Sequence, residues 1–526
     1  MPSSIFIRNH TCKQYYLNIR RVSFRCLMLA SALSIAMSDV AISCPALVAD
    51  KSSESYSIYP HMVGFNNNQT AINRPWSRPY NNRLFQSVSP ANIRYPGGTV
   101  STYWDYANDR FFNTLKEHFV LQWVRHPIKK QALNPIEEMG MLQSRMGNDF
   151  GIVFVANLTT DQSIPAPKPL SSTWHNELDQ RINVFIEALK RAENSGAAIR
   201  YVELGNEYYF GKGTEPYISG LSKIQCFRKC PGVFPGDGRH YAIAANIAAK
   251  KIKDAFPNVR VAAIAADATE RHSKRRRKWN DVVVSLYDRS VIDALSVHYY
   301  HSPPEGINMS DPDVISDILK EWNDTWKVTQ RGSQNVSTMP ISRSHQWDVW
   351  YTEYGAFITD PRRTQWAYGL YLSNKLDHWL NETNIKMSNL HQWKTSILES
   401  RDDVKVNAKA ISLWAKASKG MNTATSLEIP NTPLLKSQQK GIVGWAFSKN
   451  RDVKTNVLFV NYTGDAHEIG LSFMEHNDKL YQYTVYGAPT DTTDTVKTLS
   501  QQVSNGEYTL PPFSITVLSK DKVSDL

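Results

Sequence analysis

Ile199-Arg200-Tyr201-Val202-Glu203-Leu204-Gly205-Asn206-Glu207 begins as a short, mostly apolar run and closes on a Gly-Asn pair followed by a carboxylate. Such a run suits a strand buried on both faces of a parallel sheet, and a helical pattern, Tyr241–Ala255, comes after it. The same rhythm of strand, loop and amphipathic helix repeats in both directions. Strand-like runs are Tyr56–Phe65, Ile93–Gly97, Gly151–Leu158, Ile199–Gly205, Val259–Ala265, Ile292–Tyr300, Val349–Gly355 and Ile385–Trp393. Helical patterns fall at Glu177–Ala192, Tyr241–Ala255, Asp281–Tyr287, Val314–Trp326, Trp366–Trp379 and Val406–Ser418. Eight strands alternating with helices predict an α/β fold, a (β/α)8 TIM barrel with enlarged loops. A doubly wound sheet fits less well, because no Gly-rich phosphate loop follows the first strand.

After Gly420 the period changes. Gly441–Phe447, Thr455–Asn461, Glu468–Phe473, Leu480–Tyr486 and Tyr508–Leu518 are short runs split by Gly, Asn, Asp and Pro, the pattern of an all-β sandwich. The expected organisation is a leader at 1–49, a barrel at 50–420 and a C-terminal β-sandwich at 421–526. A strand near 50–60 can join the sandwich.

The 526 residues are 41% hydrophobic with 14 Trp and 25 Tyr, which excludes a disordered chain, and 25 Gly and 26 Pro exclude a collagen-like one. The formal charge is +11. Arg20, Arg21 and Arg25 precede an apolar run, Cys26–Met37, and a small-residue stretch ending at Ala49, the layout of a secretory signal peptide. The run is too short to span a bilayer, and no other stretch reaches that length. A secreted or periplasmic location is expected. The alternatives are an uncleaved anchor and a lipoprotein box at Ala41-Ile42-Ser43-Cys44, which Asp39 interrupts. Without residues 1–49 the chain keeps 55 Lys/Arg against 48 Asp/Glu, or +7. Three of the five Cys fall in the leader; Cys226 and Cys230 remain, as one small disulfide loop in an oxidising compartment or as two free thiols.

In a barrel of this type the chemistry sits at the C-terminal ends of the strands. The fourth run ends in Asn206-Glu207 and the seventh in Tyr351-Thr352-Glu353-Tyr354-Gly355, so two glutamates can face each other across the mouth. Retaining glycoside hydrolysis needs two carboxyls about 5–5.5 Å apart, one a proton donor and one a nucleophile. The donor demands a raised pKa; the nucleophile must stay ionised. Glu203 lies four residues before Glu207, and strand alternation would turn both to one side, with Glu203 as a buried partner.

These residues resemble a known group. Arg94-Tyr95-Pro96-Gly97-Gly98, Glu203-Leu204-Gly205-Asn206-Glu207, His298-Tyr299-Tyr300 and the closing Leu510-Pro511-Pro512-Phe513-Ser514-Ile515-Thr516-Val517-Leu518 are similar to segments of clan A retaining glycosidases. The resemblance is to family 51, the α-L-arabinofuranosidases, and to the heparanase-like family 79, whose pattern Thr99 after the Gly-Gly matches more closely. It implies Glu207 as acid/base and Glu353 as nucleophile, with Arg94 and Tyr300 as donors to Glu353. It further implies Asn206 on the sugar 2-hydroxyl, His298 beside the acid/base or on a substrate hydroxyl, and Trp393 as a platform for a sugar face. The expected activity is hydrolysis of a poly- or oligosaccharide by double displacement. Alternatives on the same fold are arabinofuranosidase-like action on neutral plant-type glycans, a transglycosylase, or a non-catalytic carbohydrate-binding protein. No cofactor is implied.

The remaining charge is concentrated. Arg271, Lys274, Arg275, Arg276, Arg277 and Lys278 follow the fifth strand, on the side of the barrel where the mouth is expected. One reading is a basic rim that steers an acidic, uronic or sulfated polysaccharide; the other is a solvated loop or helix start. Only Trp279 is an aromatic neighbour, so a nucleic-acid surface is not indicated. No P-loop, His-Glu-x-x-His or Gly-x-Ser-x-Gly motif occurs, and no metal site is expected.

Overall fold

In the computed structural model eight short strands lie side by side, all parallel, and close into a barrel. They are β1 Val63–Asn66, β2 Asn92–Tyr95, β3 Gly151–Val155, β4 Tyr201–Glu203, β5 Arg260–Ile264, β6 Ala294–Tyr300, β7 Asp348–Gly355 and β8 Ile385–His391. The closing pair is β8 with β1, Asn389 opposite Gly64. The structure describes residues 47–67, 79–98, 101–102, 104–111, 135–159, 168–209, 237–266, 274–302, 306–309, 311, 313–332, 347–356, 361–382, 384–391, 404–449, 454–474, 479–503 and 508–522, with backbone alone for 79–82, 110–111, 274–278, 325–332, 361 and 454.

Among the described residues, the helices around it are α1 Pro79–Val88, α2 Glu137–Met146, α3 Ser172–Asn194, α4 Gly238–Ala255, α5 Lys274–Leu286, α6 Val314–Gly332, α7 Trp366–Leu380 and α8 Val406–Ser418. In α3 the residues Trp174, Leu178, Ile182, Phe185 and Leu189 recur at three- and four-residue intervals and are all buried. The Ser171 hydroxyl caps this helix by accepting from the Trp174 N–H.

The barrel interior has two halves of opposite character. Tyr59, Val153, Tyr201, Ala262, Ala294, Trp350 and Met387 form an apolar floor at the N-terminal ends of the strands. Above it, towards the C-terminal ends, Asn66, Arg94, Glu203, Asn206, His298 and Glu353 are buried together. A dry floor beneath a polar mouth fixes which end can hold a ligand.

The first expected strand, Tyr56–Phe65, is broken. Leu47–Ser57 belongs to the second sheet, the chain turns at Tyr59–Met62, and only Val63–Asn66 enters the barrel. Pro60 has no N–H to give to a ladder, and its carbonyl accepts from Gly420 instead.

The second sheet has nine strands, mostly antiparallel. In spatial order they are Lys497–Val503, Leu480–Tyr486, Ser514–Ser519, Lys454–Asn461, Ile442–Lys449, Thr423–Glu428, Leu47–Ser57, His467–Leu471 and Tyr508–Leu510. Val457, Phe459 and Leu480 share one buried cluster with Ile469, Tyr508 and Leu510 from the far edge, so the sheet folds over onto itself. The N-terminal strand makes the corner: Ser55–Ser57 pair with Thr423–Thr425, and Leu47–Ala49 pair with Ile469–Leu471. The outer face packs on the barrel helices. The Trp445 indole donates to Asp377 of α7 (2.8 Å), and the Trp414 ring of α8 meets Phe447 edge-on. Ala46–Leu526 form one compact unit; Met1–Pro45 lie outside the described residues.

Candidate active site

Arg94 on β2 is the hub of the mouth. It is fully buried, and each of its five N–H groups has an acceptor. Nε and Nη2 donate to the two oxygens of Glu203 (2.5 and 3.1 Å). Nη1 donates to Glu353 Oε1 (2.6 Å) and Asn66 Oδ1 (3.1 Å), and Nη2 also donates to Asn206 Oδ1 (2.8 Å). One cation on β2 therefore binds two carboxylates and two amides drawn from β1, from β4 and the turn beyond it, and from β7.

Glu353 owes its direction to a bulge. Along β7, Tyr351 sits opposite Val297 and Glu353 opposite His298, so Thr352 is an extra residue without a counterpart. Strand alternation would turn neighbours to opposite faces; the bulge turns both inward. The Thr352 hydroxyl donates to Glu203 (3.0 Å), as does that of Ser296, while Glu353 reaches Arg94. Tyr300 donates to the other oxygen of Glu353 (2.6 Å). Burial alone would raise the Glu353 pKa, but the His298 charge, that of His391 once acid protonates it, the Arg94 charge and the Tyr300 hydroxyl outweigh it and bring it to about 2. Glu203 is likewise held below its usual range: burial opposes ionisation, and Arg94 and His298 overcome it.

Glu207 reaches the mouth by a different route. β4 ends at Glu203, Gly205 takes φ +99°, and Glu207 itself takes φ +52°. A Cβ on Gly205 would lie 2.4 Å from the Tyr208 ring, so the turn needs glycine on both steric and dihedral grounds. The left-handed conformation of Glu207, rather than four-residue alternation from Glu203, sets its side-chain direction. Its Oε1 accepts from the Tyr209 hydroxyl (3.2 Å) and lies 3.0 Å from His298 Nδ1.

His298 and Tyr300, two apart on β6, both face the mouth. Burial would lower the His298 pKa; Glu353, Glu203 and Glu207 raise it to about 9. Two further residues, from the ends of β8 and β1, complete the ring. Asn66 turns its oxygen to Arg94 and its amide nitrogen to His391 Nδ1 (2.6 Å), so this ring nitrogen accepts and His391 is neutral. Burial acts in the same direction on the His391 pKa. His391 Nδ1 lies 3.4 Å from Glu353 Oε2.

The structure thus brings together Arg94, Asn206, Glu207, His298, Tyr300 and Glu353. One oxygen each of Glu207 and Glu353 and a ring nitrogen of His298 lie within 4.8 Å of one another. Such a trio could converge on a cation, but Arg94 already places a full positive charge 2.6 Å from Glu353. The Asn206 amide nitrogen is buried and has no partner among the described residues. Asn66, Tyr209, Ser296, Thr352 and His391 were not singled out from sequence. Asn66 and His391 could have been found by the strand-end rule that located the glutamates. Trp393, Cys226, Cys230, Thr99 and Arg271 lie outside the described residues. Lys274–Lys278 form the first turns of α5, after β5, at the mouth end of the barrel.

No protein-family model matches the chain, and no curated protein matches it. Solved structures do. AbfB, a family 51 α-L-arabinofuranosidase from Bifidobacterium longum, is similar with a TM-score of 0.61 at 13% identity, over 91% of this chain and 100% of that one. A Paenibacillus polymyxa xyloglucanase of glycoside hydrolase family 44 has a TM-score of 0.56 at 12% identity, over 90% and 100%. A 4-O-α-L-rhamnosyl-β-D-glucuronidase from Fusarium oxysporum 12S has a TM-score of 0.51 at 13% identity, over 90% and 99%. This chain shares the fold of these proteins.

Proposed function

We propose that the chain is a retaining glycoside hydrolase with Glu207 as acid/base and Glu353 as nucleophile. The observation that carries the reading is the carboxylate pair across the mouth, with one oxygen of each within 4.8 Å, an approach that suits a retaining pair, whose carboxyls stand about 5–5.5 Å apart. Glu353, ionised and oriented by Arg94 and Tyr300, attacks the anomeric carbon as Glu207 protonates the departing oxygen. Water then attacks the glycosyl-enzyme, and Glu207 takes its proton. The unpartnered Asn206 amide suits the sugar 2-hydroxyl, and Trp393, two residues beyond β8, suits a sugar face. The shared fold with solved glycosidases agrees.

The test is a panel of aryl glycosides and polysaccharides offered to the wild type, Glu207→Ala and Glu353→Ala. Loss in both variants, azide rescue of Glu207→Ala, and retained anomeric configuration by NMR are expected. Undiminished activity in either variant refutes the assignment. Added acceptor sugars separate a transglycosylase, which uses the same residues, from a hydrolase.

For the substrate, an acidic glycan is supported by the five Lys/Arg of Lys274–Lys278 opening α5 at the mouth end. A neutral arabinose-bearing glycan is supported by the family 51 likeness. Export by the N-terminal leader, with Cys226 and Cys230 as a disulfide, belongs to the same proposal. Leu47–Ala49 pair with Ile469–Leu471, and Ala49 is fully buried, so a cut before Leu47 preserves the ladder that a cut after Ala49 would remove.

A further inference from the structure

We propose that His298 and Glu207 hold one proton between them and that this shared proton is the one delivered to the leaving group. The inference rests on the acid/base reading of Glu207 and makes His298 a positioning residue that acts through it.

Both ring nitrogens of His298 face carboxylates. Nδ1 is 3.0 Å from Glu207 Oε1 and 3.6 Å from Glu353 Oε2, and Nε2 is 3.8 Å from Glu203 Oε1. The ring is buried. A neutral imidazole beside an ionised Glu207 would aim a lone pair at an anionic oxygen whichever tautomer it chose. Two arrangements avoid this: an imidazolium donating to the Glu207 carboxylate, or a neutral ring accepting from a protonated Glu207. They contain the same number of protons.

Charge count agrees. Among the described residues, the groups facing His298 are Glu203 from β4, Glu207 beyond it, Glu353 on β7 and, through those carboxylates, Arg94 on β2. The hydroxyls of Tyr300 and Tyr209 are donated to Glu353 and Glu207, and His391 on β8 is neutral. Arg94 balances one of its two carboxylate partners. Counted over these described groups alone, a proton on the pair lowers the excess of negative charge from two to one.

In the first chemical step a Glu353 oxygen donates an electron pair to the anomeric carbon. The bond to the leaving oxygen breaks with its electrons, and that oxygen takes the proton through Glu207. His298 is left neutral and Glu207 a carboxylate. Glu353, now an ester, no longer attracts a proton to His298, so Glu207 stays ionised and ready to act as base. Water then attacks the anomeric carbon, its proton passes to Glu207 and returns to the pair, and the ester electrons return to Glu353.

His298→Gln keeps a hydrogen-bonding side chain but cannot store a proton. The basic limb of its kcat/KM profile should move at least one pH unit towards acid. An aryl glycoside with a poor leaving group should lose at least tenfold more rate than one with a good leaving group. Independently, the ¹⁵N imidazole signal absent from His298→Gln should titrate above neutrality in wild type and at lower pH in Glu353→Gln. An unmoved basic limb, equal loss on both substrates, or an unchanged titration in Glu353→Gln overturns the proposal. If wild type cleaves no glycoside, the hydrolase reading fails instead, and the ¹⁵N titration still decides whether the proton is shared.

Discussion

Replacing Arg94 by lysine keeps the charge and tests whether the five-donor fork is what the site requires. Lysine offers three donors from one point, so at least two of the five hydrogen bonds that Arg94 makes to Glu203, Glu353, Asn66 and Asn206 are lost. At about 1.5–3 kcal/mol for each bond involving a charged group, the expected destabilisation is about 3–6 kcal/mol. Arg94→Met removes the charge as well and leaves the buried Glu203 and Glu353 without their ion-pair partner, with His298 still facing them, a loss on the order of 3–5 kcal/mol at neutral pH. Its sign with pH is distinctive. In wild type both carboxyls have lowered pKa values, so their stabilisation is complete above the ordinary value of 4.5 and for Glu353 is lost as pH falls towards about 2. In Arg94→Met the same carboxyls keep His298 beside them but lose the guanidinium, and they take up protons more readily. The deficit should therefore be widest near neutrality and narrow as pH falls below 4.5. Urea unfolding followed by near-ultraviolet circular dichroism at pH 7 and pH 4 measures both effects. An Arg94→Lys variant within about 0.5 kcal/mol of wild type, or an Arg94→Met deficit independent of pH, would refute the reasoning.

Neutralising Arg275, Arg276 and Arg277 together should lower kcat/KM on a charged polysaccharide at low salt, with the gap to wild type closing as salt rises. An unchanged rate and salt response would return this segment to a solvated helix start. His61 sits between the Tyr201 hydroxyl (3.0 Å) and the Asn148 carbonyl (3.4 Å), and burial, with Arg200, lowers its pKa from 6.5 to about 4. Above pH 6.5 it is neutral folded or unfolded and contributes nothing; from 6.5 down to 4 it should remove about 3 kcal/mol of stability. His61→Gln should flatten that acid slope in thermal melts, and a retained slope would show that another group is responsible.

Much of the fold was legible because its signals are local. Eight apolar runs separated by helical patterns specify a parallel sheet covered by helices, and α8 was read at its observed bounds, Val406–Ser418. Less was legible where the deciding neighbour is distant in sequence. Thr423–Glu428 and Lys497–Val503 carry little periodicity, and Lys497–Val503 is largely exposed; both are held as strands by their partners. Tyr508–Leu518 reads as one run and is two strands, parted at Pro511-Pro512-Phe513.

The site divides along the same line. Sequence by itself determined which strand ends carry the two glutamates, and the resemblance to clan A glycosidases named Arg94, Asn206, His298 and Tyr300 beside them. Tertiary structure decided how those groups are aimed. The Thr352 bulge depends on register against β6, the left-handed Glu207 on a glycine packed against Tyr208, and the neutral His391 on an amide supplied by Asn66 more than 300 positions away. Residue type and strand order are written in short stretches of chain. Direction, charge state and the sharing of a proton arise only when groups from six strands are closed into one water-poor mouth.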